Sequence, residues 1–172
     1  MRKTRRLDLG FTLLELMVAI AVFAVLVGLG VPGFSGIINA NRITAQTNEL
    51  VSALNYARSE AVKRGEPVGV CSSTDGATCA ASTDWSTGWI VFDDRGGVVG
   101  APDAASDVLQ VWQGTGGLTL DAGANFVRYA GTGMSTTATT FELYKPDCSG
   151  EKARSISIAV TGRISSVKSN CP

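Results

Sequence analysis

The sequence predicts an α+β fold in which a long N-terminal helix precedes a domain of antiparallel β-strands. First, residues 11–31 are apolar apart from one charged side chain, Glu15. Second, helical periodicity resumes over residues 35–64. Third, short runs rich in β-branched and aromatic residues follow Pro67 and are separated by Gly, Asp and Ser clusters, as in a sheet built from hairpins.

The apolar run is long enough to cross a bilayer. As a helix it reaches about 30 Å, which matches the hydrocarbon core of a membrane. Basic residues precede it, and this asymmetry predicts a cytoplasmic N-terminus and an exported remainder: Arg2, Lys3, Arg5 and Arg6. We therefore assign residues 11–34 to a transmembrane helix and residues 35–172 to a periplasmic globular domain.

The second half of the helix, residues 35–64, is amphipathic. Its semi-apolar stripe recurs at steps of three and four: Ile43, Thr47, Leu50, Leu54, Ala57 and Ala61. Gly65 and Pro67 predict where the helix ends. Val31-Pro32-Gly33 predicts a kink or a local melt between the two halves, because proline removes a backbone donor.

The β-rich part covers residues 68–172. The predicted strands are 68–72, 88–93, 108–112, 126–129, 139–144, 155–161 and 164–168. Trp89 lies in an apolar strand and is expected in the core, whereas Trp85 lies in a polar loop and is expected to be the most exposed tryptophan.

The chain has four cysteines and no histidine. An even number of cysteines outside the cytoplasm predicts two disulfides, and we favour the local pairs Cys71–Cys79 and Cys148–Cys171. A zinc site and free core cysteines are the alternatives, but C-x-x-C spacing is missing. The lack of histidine excludes Ser-His-Asp and Cys-His catalysis.

Two further segments are candidate sites. Asp93-Asp94-Arg95-Gly96-Gly97 has carboxylates suited to a calcium ion, but a turn at the end of a strand is the favoured interpretation, and no metal or cofactor is predicted. The part of the chain after residue 10 is slightly acidic, so a nucleic-acid site would have to be a local patch. The candidate patch lies near the C-terminus: Arg154, Arg163 and Lys168.

The segment Gly10-Phe11-Thr12-Leu13-Leu14-Glu15 resembles the class III signal of type IV prepilins and of type II secretion pseudopilins. The resemblance implies that residues 1–10 are a leader, which a prepilin peptidase removes between Gly10 and Phe11 before methylating the Phe11 amine. It also implies that Glu15 neutralises the N-terminal amine of a neighbouring subunit. A plain signal anchor is the alternative, and it leaves Glu15 unexplained, because a carboxylate within a membrane is costly.

Three later segments resemble the GspH/FimT branch of pilin-like proteins: residues 57–68, residues 88–94, and Gly162-Arg163 ahead of a terminal cysteine. The resemblance implies the type IV pilin fold and a structural protein, not an enzyme. The implied function is that of a minor type IV pilin, which primes pilus assembly and sits at or near the pilus tip, serving twitching motility and adhesion.

The same resemblance implies the location and the partners. The chain would reside in the inner membrane, with its domain in the periplasm, and then in the extracellular pilus. Its partners would be other major and minor pilins, the prepilin peptidase, the inner-membrane assembly platform, and lipid before assembly.

Two alternatives remain open. One is a type II secretion pseudopilin of the H class. The other is a DNA-binding minor pilin for natural transformation, which would use Arg154, Arg163 and Lys168. DNA is not favoured, because Ser165 stands where the Gly-Arg-x-Arg element of such pilins has its second arginine.

Overall fold

A computed structural model describes residues 11–96, 99–150 and 152–172, without the side chains of residues 28–35 and 105. One helix, α1, spans Leu13–Arg64. A short 3-10 helix at Ala105–Asp107 precedes the third strand. The strands are β1 Val68–Ser72, β2 Gly88–Asp93, β3 Val108–Gln113, β4 Thr119–Ala122, β5 Phe126–Tyr129, β6 Thr139–Tyr144, β7 Ala153–Ile158 and β8 Ile164–Ser169.

The chain separates into two compact units, one ending at Asn39 and the other beginning at Ala40. Helix α1 is continuous through residues 31–33, so the local melt predicted there is wrong. Proline removes one hydrogen bond, but its fixed φ is compatible with a helix. The other end matches the prediction: Gly65 follows Arg64 with φ +69°, the left-handed conformation that commonly ends helices.

The strands form two antiparallel four-stranded sheets. The first has the order β3-β2-β1-β5, and the second has the order β4-β6-β7-β8. The chain first passes to the second sheet after β3, through the glycine-rich residues 114–117, then returns to the first sheet for β5 and enters the second sheet again at β6. Strand β4 is an addition to the predicted set, and it pairs with β6 from Thr119↔Tyr144 to Ala122↔Phe141.

The main core joins residues 40–64 of α1 to both sheets. Leu50, Leu54 and Ala57 are fully buried there, in one cluster with residues of both sheets: Val70, Val91 and Val127 from the first, and Phe141, Leu143 and Ile156 from the second. The helical stripe found in the sequence is therefore the buried face. Truncating a buried leucine such as Leu54 to alanine costs about 2–5 kcal/mol.

A smaller core covers the opposite face of the first sheet. It contains Cys71, Ile90 and Phe92, with Cys79 packed against them. Gly69 pairs with Phe92 across the β1–β2 ladder, and the Phe92 ring occupies the space that a side chain at Gly69 would need. Both faces of β1 and β2 are thereby buried, which explains their continuous apolar sequences.

Candidate functional site

The helix begins with a hydrogen-bonded cap. Thr12 precedes the first helical residue, and its hydroxyl oxygen accepts a hydrogen bond from the Glu15 backbone N–H at 3.2 Å. This is half of a capping box, in which threonine at the N-cap is followed three residues later by glutamate. Glu15 thus lies in the first helical turn, where a negative charge interacts favourably with the helix dipole. Gly10 and the rest of the leader lie outside the described residues.

The helical arm after this cap exposes its apolar side chains. Phe11 is 83% exposed, and every side chain over residues 11–27 is exposed. Within the part of the chain that the structure describes, no helix is both long and apolar enough to cross a membrane. A continuous exposed apolar surface of this kind marks a site of association with a membrane or another protein.

The carboxylates of the candidate calcium loop are bound by arginines. Asp93 pairs with Arg95 at 2.6 Å and with Arg64, in the last turn of α1, at 3.4 Å. Asp94 is buried and pairs with Arg128 of β5. The hydrogen bond from Arg95 is the main reason that the pKa of Asp93 is lowered. The arrangement ties the end of α1 to the last residue of β2, and it ties β5 to the residue after β2.

A further arginine, Arg58, was not identified as a site residue from the sequence. Its Nε donates to the carbonyl oxygen of Gly133 at 2.9 Å, and its Nη2 donates to that of Thr161 at 3.3 Å. These bonds join the helix to the turn after β5 and to the β7–β8 turn. Backbone carbonyls occur at every residue, so no sequence signal marks the two acceptors.

The β7–β8 turn requires a glycine at position 162. The φ of Gly162 is +76°, the residue is buried, and a Cβ there would collide with the carbonyl oxygen of Gly133. The glycine of the Gly162-Arg163 pair is therefore required by the turn itself, and Arg163 is exposed beside it.

The structure separates the three candidate DNA-binding cations. Arg154 of β7 and Lys168 of β8 are directly opposite each other in the ladder. Arg163 lies in the turn at the other end of the hairpin, five residues from Lys168 and thus about 16 Å away along the strand. Among the described residues none of the three forms an ion pair. DNA binding through these residues stays a prediction, and the geometry brings only two of them together.

The two disulfides join Cys71 to Cys79 and Cys148 to Cys171, which are the local pairs that the sequence favours. The second disulfide attaches the C-terminus to the segment after β6. The N–H of Cys171 also donates to the carbonyl oxygen of Gly150 at 3.0 Å. Strand β8 is therefore held at its C-terminal end as well as at the β7–β8 turn.

The expected exposure of Trp85 is wrong. Trp85 and Trp89 are both fully buried. The Trp85 ring packs edge-on against Phe141 with 4.9 Å between centroids, and its Nε1 donates to the carbonyl oxygen of Ala124 at 3.2 Å. The second sheet covers the loop, so neither tryptophan can serve as an exposed stacking platform.

Comparison with known proteins agrees with this architecture. Two crystal structures of the type IV minor pilin FimU from Pseudomonas aeruginosa (strain PAO1) resemble the chain. The first has a TM-score of 0.58 and 24% sequence identity, and the match covers 73% of this chain and 87% of that one. The second has a TM-score of 0.57 and 23% identity, covering 72% and 91%. None of the curated proteins compared is significantly similar.

Two sequence families match the chain itself. Residues 5–31 match the prokaryotic N-terminal methylation motif, which includes the segment around Gly10, Phe11 and Glu15. Residues 46–162, most of the globular unit, match the family described as type II transport protein GspH. The helix packed on antiparallel sheets is the type IV pilin fold, and the chain belongs to the GspH family of pilin-like proteins.

Proposed function

We propose that this chain is a minor type IV pilin, a structural subunit that primes pilus assembly and resides at or near the pilus tip. The observation that carries the proposal is the exposed apolar arm of residues 11–27, which begins at the Thr12–Glu15 cap. A helix with such an exposed apolar surface is suited to a subunit that lies first in lipid and later packs among other subunits.

The assembly mechanism follows from the chemistry of this end of the chain. Peptide-bond cleavage between Gly10 and Phe11 frees a backbone amine one residue before the cap, and methylation keeps that amine basic. In an apolar surrounding, attraction between this cation and a carboxylate is much stronger than in water. The Glu15 carboxylate of one subunit would pair with the Phe11 amine of the next. Burial of the apolar arms then replaces their contact with lipid.

The globular unit would form the lateral contacts of the subunit. Its two disulfides suit an exported protein, and the ion pairs of Asp93 and Asp94 hold the segment after β2 in place. The similar crystal structures are of a type IV minor pilin, which supports a minor pilin over a bulk filament subunit. Other pilins, the prepilin peptidase and the inner-membrane assembly platform are the proposed partners.

A second candidate function is that of a minor pseudopilin in type II secretion. The description of the matching family, type II transport protein GspH, favours it. Both functions use the same arm, cap and fold, so the difference lies in which filament the subunit enters.

The deciding experiment uses a deletion strain and an antibody against the chain. For a minor pilin, we expect the protein in the sheared-pilus fraction, reduced twitching in the deletion strain, and normal secretion of exoproteins. Restoration by the wild-type gene is the control. Lost exoprotein secretion with normal twitching would instead identify a pseudopilin.

A further inference from the structure

The hydrogen-bond pattern of the β7–β8 hairpin shows which groups of β8 face outward. The N–H of Ala159 donates to the carbonyl oxygen of Arg163, so these two residues form a hydrogen-bonded pair. Hydrogen-bonded and non-hydrogen-bonded pairs alternate along an antiparallel ladder. The pairs Ile158↔Ile164, Ile156↔Ser166 and Arg154↔Lys168 are therefore the non-hydrogen-bonded ones, and the N–H and C=O groups of Ile164, Ser166 and Lys168 point away from β7.

This outer edge of β8 is open in the described part of the chain. Strand β8 is the last strand of its sheet, and no described backbone group outside β7 bonds to residues 164–169. Ser165, Ser166, Val167 and Lys168 are all exposed. At the other end of the same sheet, residues 83–85 bond to β4 and cover it. An uncovered strand edge is a template for another strand.

The charges near the outer edge of β8 indicate which charge an added strand should carry. Arg154 and Lys168 form a non-hydrogen-bonded pair, in which opposing side chains approach most closely. Like charges placed directly opposite each other destabilise a ladder. Neither residue has an ion-pair partner among the described side chains, and both lie on the face that carries Ile156 and Leu143. A carboxylate on an added strand would relieve this repulsion.

We propose that the outer edge of β8 binds an extended, acidic segment of a neighbouring pilin subunit of a different sequence, adding a strand to the second sheet. The proposal rests on the proposed function, because that function supplies a neighbouring subunit. The partner would bond to the backbone of Ile164, Ser166 and Lys168 and would place Asp or Glu opposite Lys168. A second copy of this chain paired through its own β8 would bring more cations and no carboxylate.

Residue Ser166 allows a selective test of the edge. Its N–H points outward, so Ser166→Pro removes a donor to the partner and none to β7, and proline is tolerated at such edge positions. Ser166→Ala keeps the donor and is the matched control. Lys168→Glu reverses the charge that the partner would neutralise, whereas Lys168→Arg keeps it.

The experiment places a photoreactive phenylalanine analogue at Val167 of the full chain in pilus-forming cells. Cross-linked peptides are identified by mass spectrometry in both the membrane and the sheared-pilus fractions. We expect a peptide with Asp or Glu from another pilin-like subunit. Ser166→Pro and Lys168→Glu should each reduce its yield about tenfold, since one charge-assisted or buried hydrogen bond is worth that factor, while Ser166→Ala and Lys168→Arg should retain it.

The outcomes separate this inference from the proposed function. A Val167 cross-link to a second copy of this chain, to nuclease-sensitive nucleic acid or to no pilin would overturn the inference, as would a yield that Ser166→Pro leaves unchanged. Absence of the wild-type protein from sheared pili would overturn the proposed function alone, because the membrane fraction still reports the cross-link. Near-UV circular dichroism of each purified full-length variant verifies that it is folded.

Discussion

Gly162 lies so close to the carbonyl oxygen of Gly133 that no side chain fits between the two turns. Arg58 donates hydrogen bonds to the carbonyl oxygens of Gly133 and Thr161 beside this contact. The glycine therefore serves the junction between helix and turns, and the neighbouring Arg163 is exposed. Gly162 and Arg163 should therefore respond differently to substitution.

We expect Gly162→Ala to lower the free energy of unfolding by about 1–3 kcal/mol, because a side chain there is strained at positive φ and collides with Gly133. Arg163→Ala should change it by less than about 0.5 kcal/mol, as is usual for exposed residues. Denaturant unfolding of the full chain in detergent, followed by tryptophan fluorescence, measures both. An equal loss of unfolding free energy in the two variants would contradict the different roles of Gly162 and Arg163.

The Asp93 ion pairs should make the protein sensitive to acid. The pKa of Asp93 is lowered, chiefly by its hydrogen bond with Arg95. A group with a lowered folded-state pKa stabilises the protein fully above its unfolded pKa, about 3.9, and this stabilisation is lost as the pH falls below that value. We expect Tm to fall from pH 5 to pH 3, and to fall less steeply in Asp93→Asn.

The control for that measurement is Glu49→Gln, since Glu49 is an exposed acid of α1 that belongs to no ion pair among the described residues. Glu49→Gln should keep the wild-type slope of Tm against pH more closely than Asp93→Asn. If the two slopes are the same, the acid sensitivity comes from other carboxylates.

Local sequence signals predicted most of the secondary structure. Strands 68–72, 88–93, 126–129 and 139–144 have the predicted bounds, because apolar residues and turn residues mark both ends. Strand β4 was missed because its short sequence, Thr119–Ala122, follows glycines and contains an aspartate, and only its pairing with β6 makes it a strand. Propensity in sheets depends strongly on such neighbours.

The sequence predicted those features of the candidate site that depend on residues close together in the chain. It missed those that depend on contacts between distant segments. The segment from Gly10 to Glu15 is recognised from contiguous residues, and the favoured cysteine pairs are close in sequence. Arg58 reaches carbonyls 75 and 103 residues away, which no spacing indicates. Trp85 has polar sequence neighbours, which led to the prediction that it is exposed. The second sheet buries it, and this contact is not visible in the local sequence.

The disulfide between Cys148 and Cys171 should stabilise the C-terminal strand. It closes a loop with a sequence separation of 23 residues. Such a cross-link typically contributes about 2–4 kcal/mol, largely by restricting the unfolded chain. We expect the double substitution of Cys148→Ser and Cys171→Ser to lower the free energy of unfolding by that amount and to increase amide exchange in β8 more than in β1. Unchanged exchange in β8 would contradict this role.

Processing should depend on Gly10. If the peptidase cuts between Gly10 and Phe11, glycine is needed immediately before the cut. We therefore expect Gly10→Ala to accumulate as unprocessed precursor in the membrane fraction. Immunoblotting separates the two forms by the mass of the leader. Leu9→Ala, next to the cut, is the control and should be processed. Normal processing of Gly10→Ala would contradict the proposed cleavage site.

Glu15 has two separable roles, one in the cap and one as a charge. Glutamine at Glu15 keeps the side-chain length and suits the third position of a capping box, but it removes the charge. We expect Glu15→Gln to be inserted and processed normally and to reach the sheared-pilus fraction at less than roughly a tenth of the wild-type level, which is a loss of about 1.4 kcal/mol. The Phe11 amine would then lack its partner.

Thr12→Ala is the matched control, because it removes the hydroxyl that accepts the Glu15 N–H and leaves the charge. Loss of an N-cap costs a helix about 0.5–2 kcal/mol, which is felt locally at the first turn. We expect Thr12→Ala to enter pili more efficiently than Glu15→Gln. If Thr12→Ala is the more defective variant, the cap and not the carboxylate charge is the feature that assembly requires.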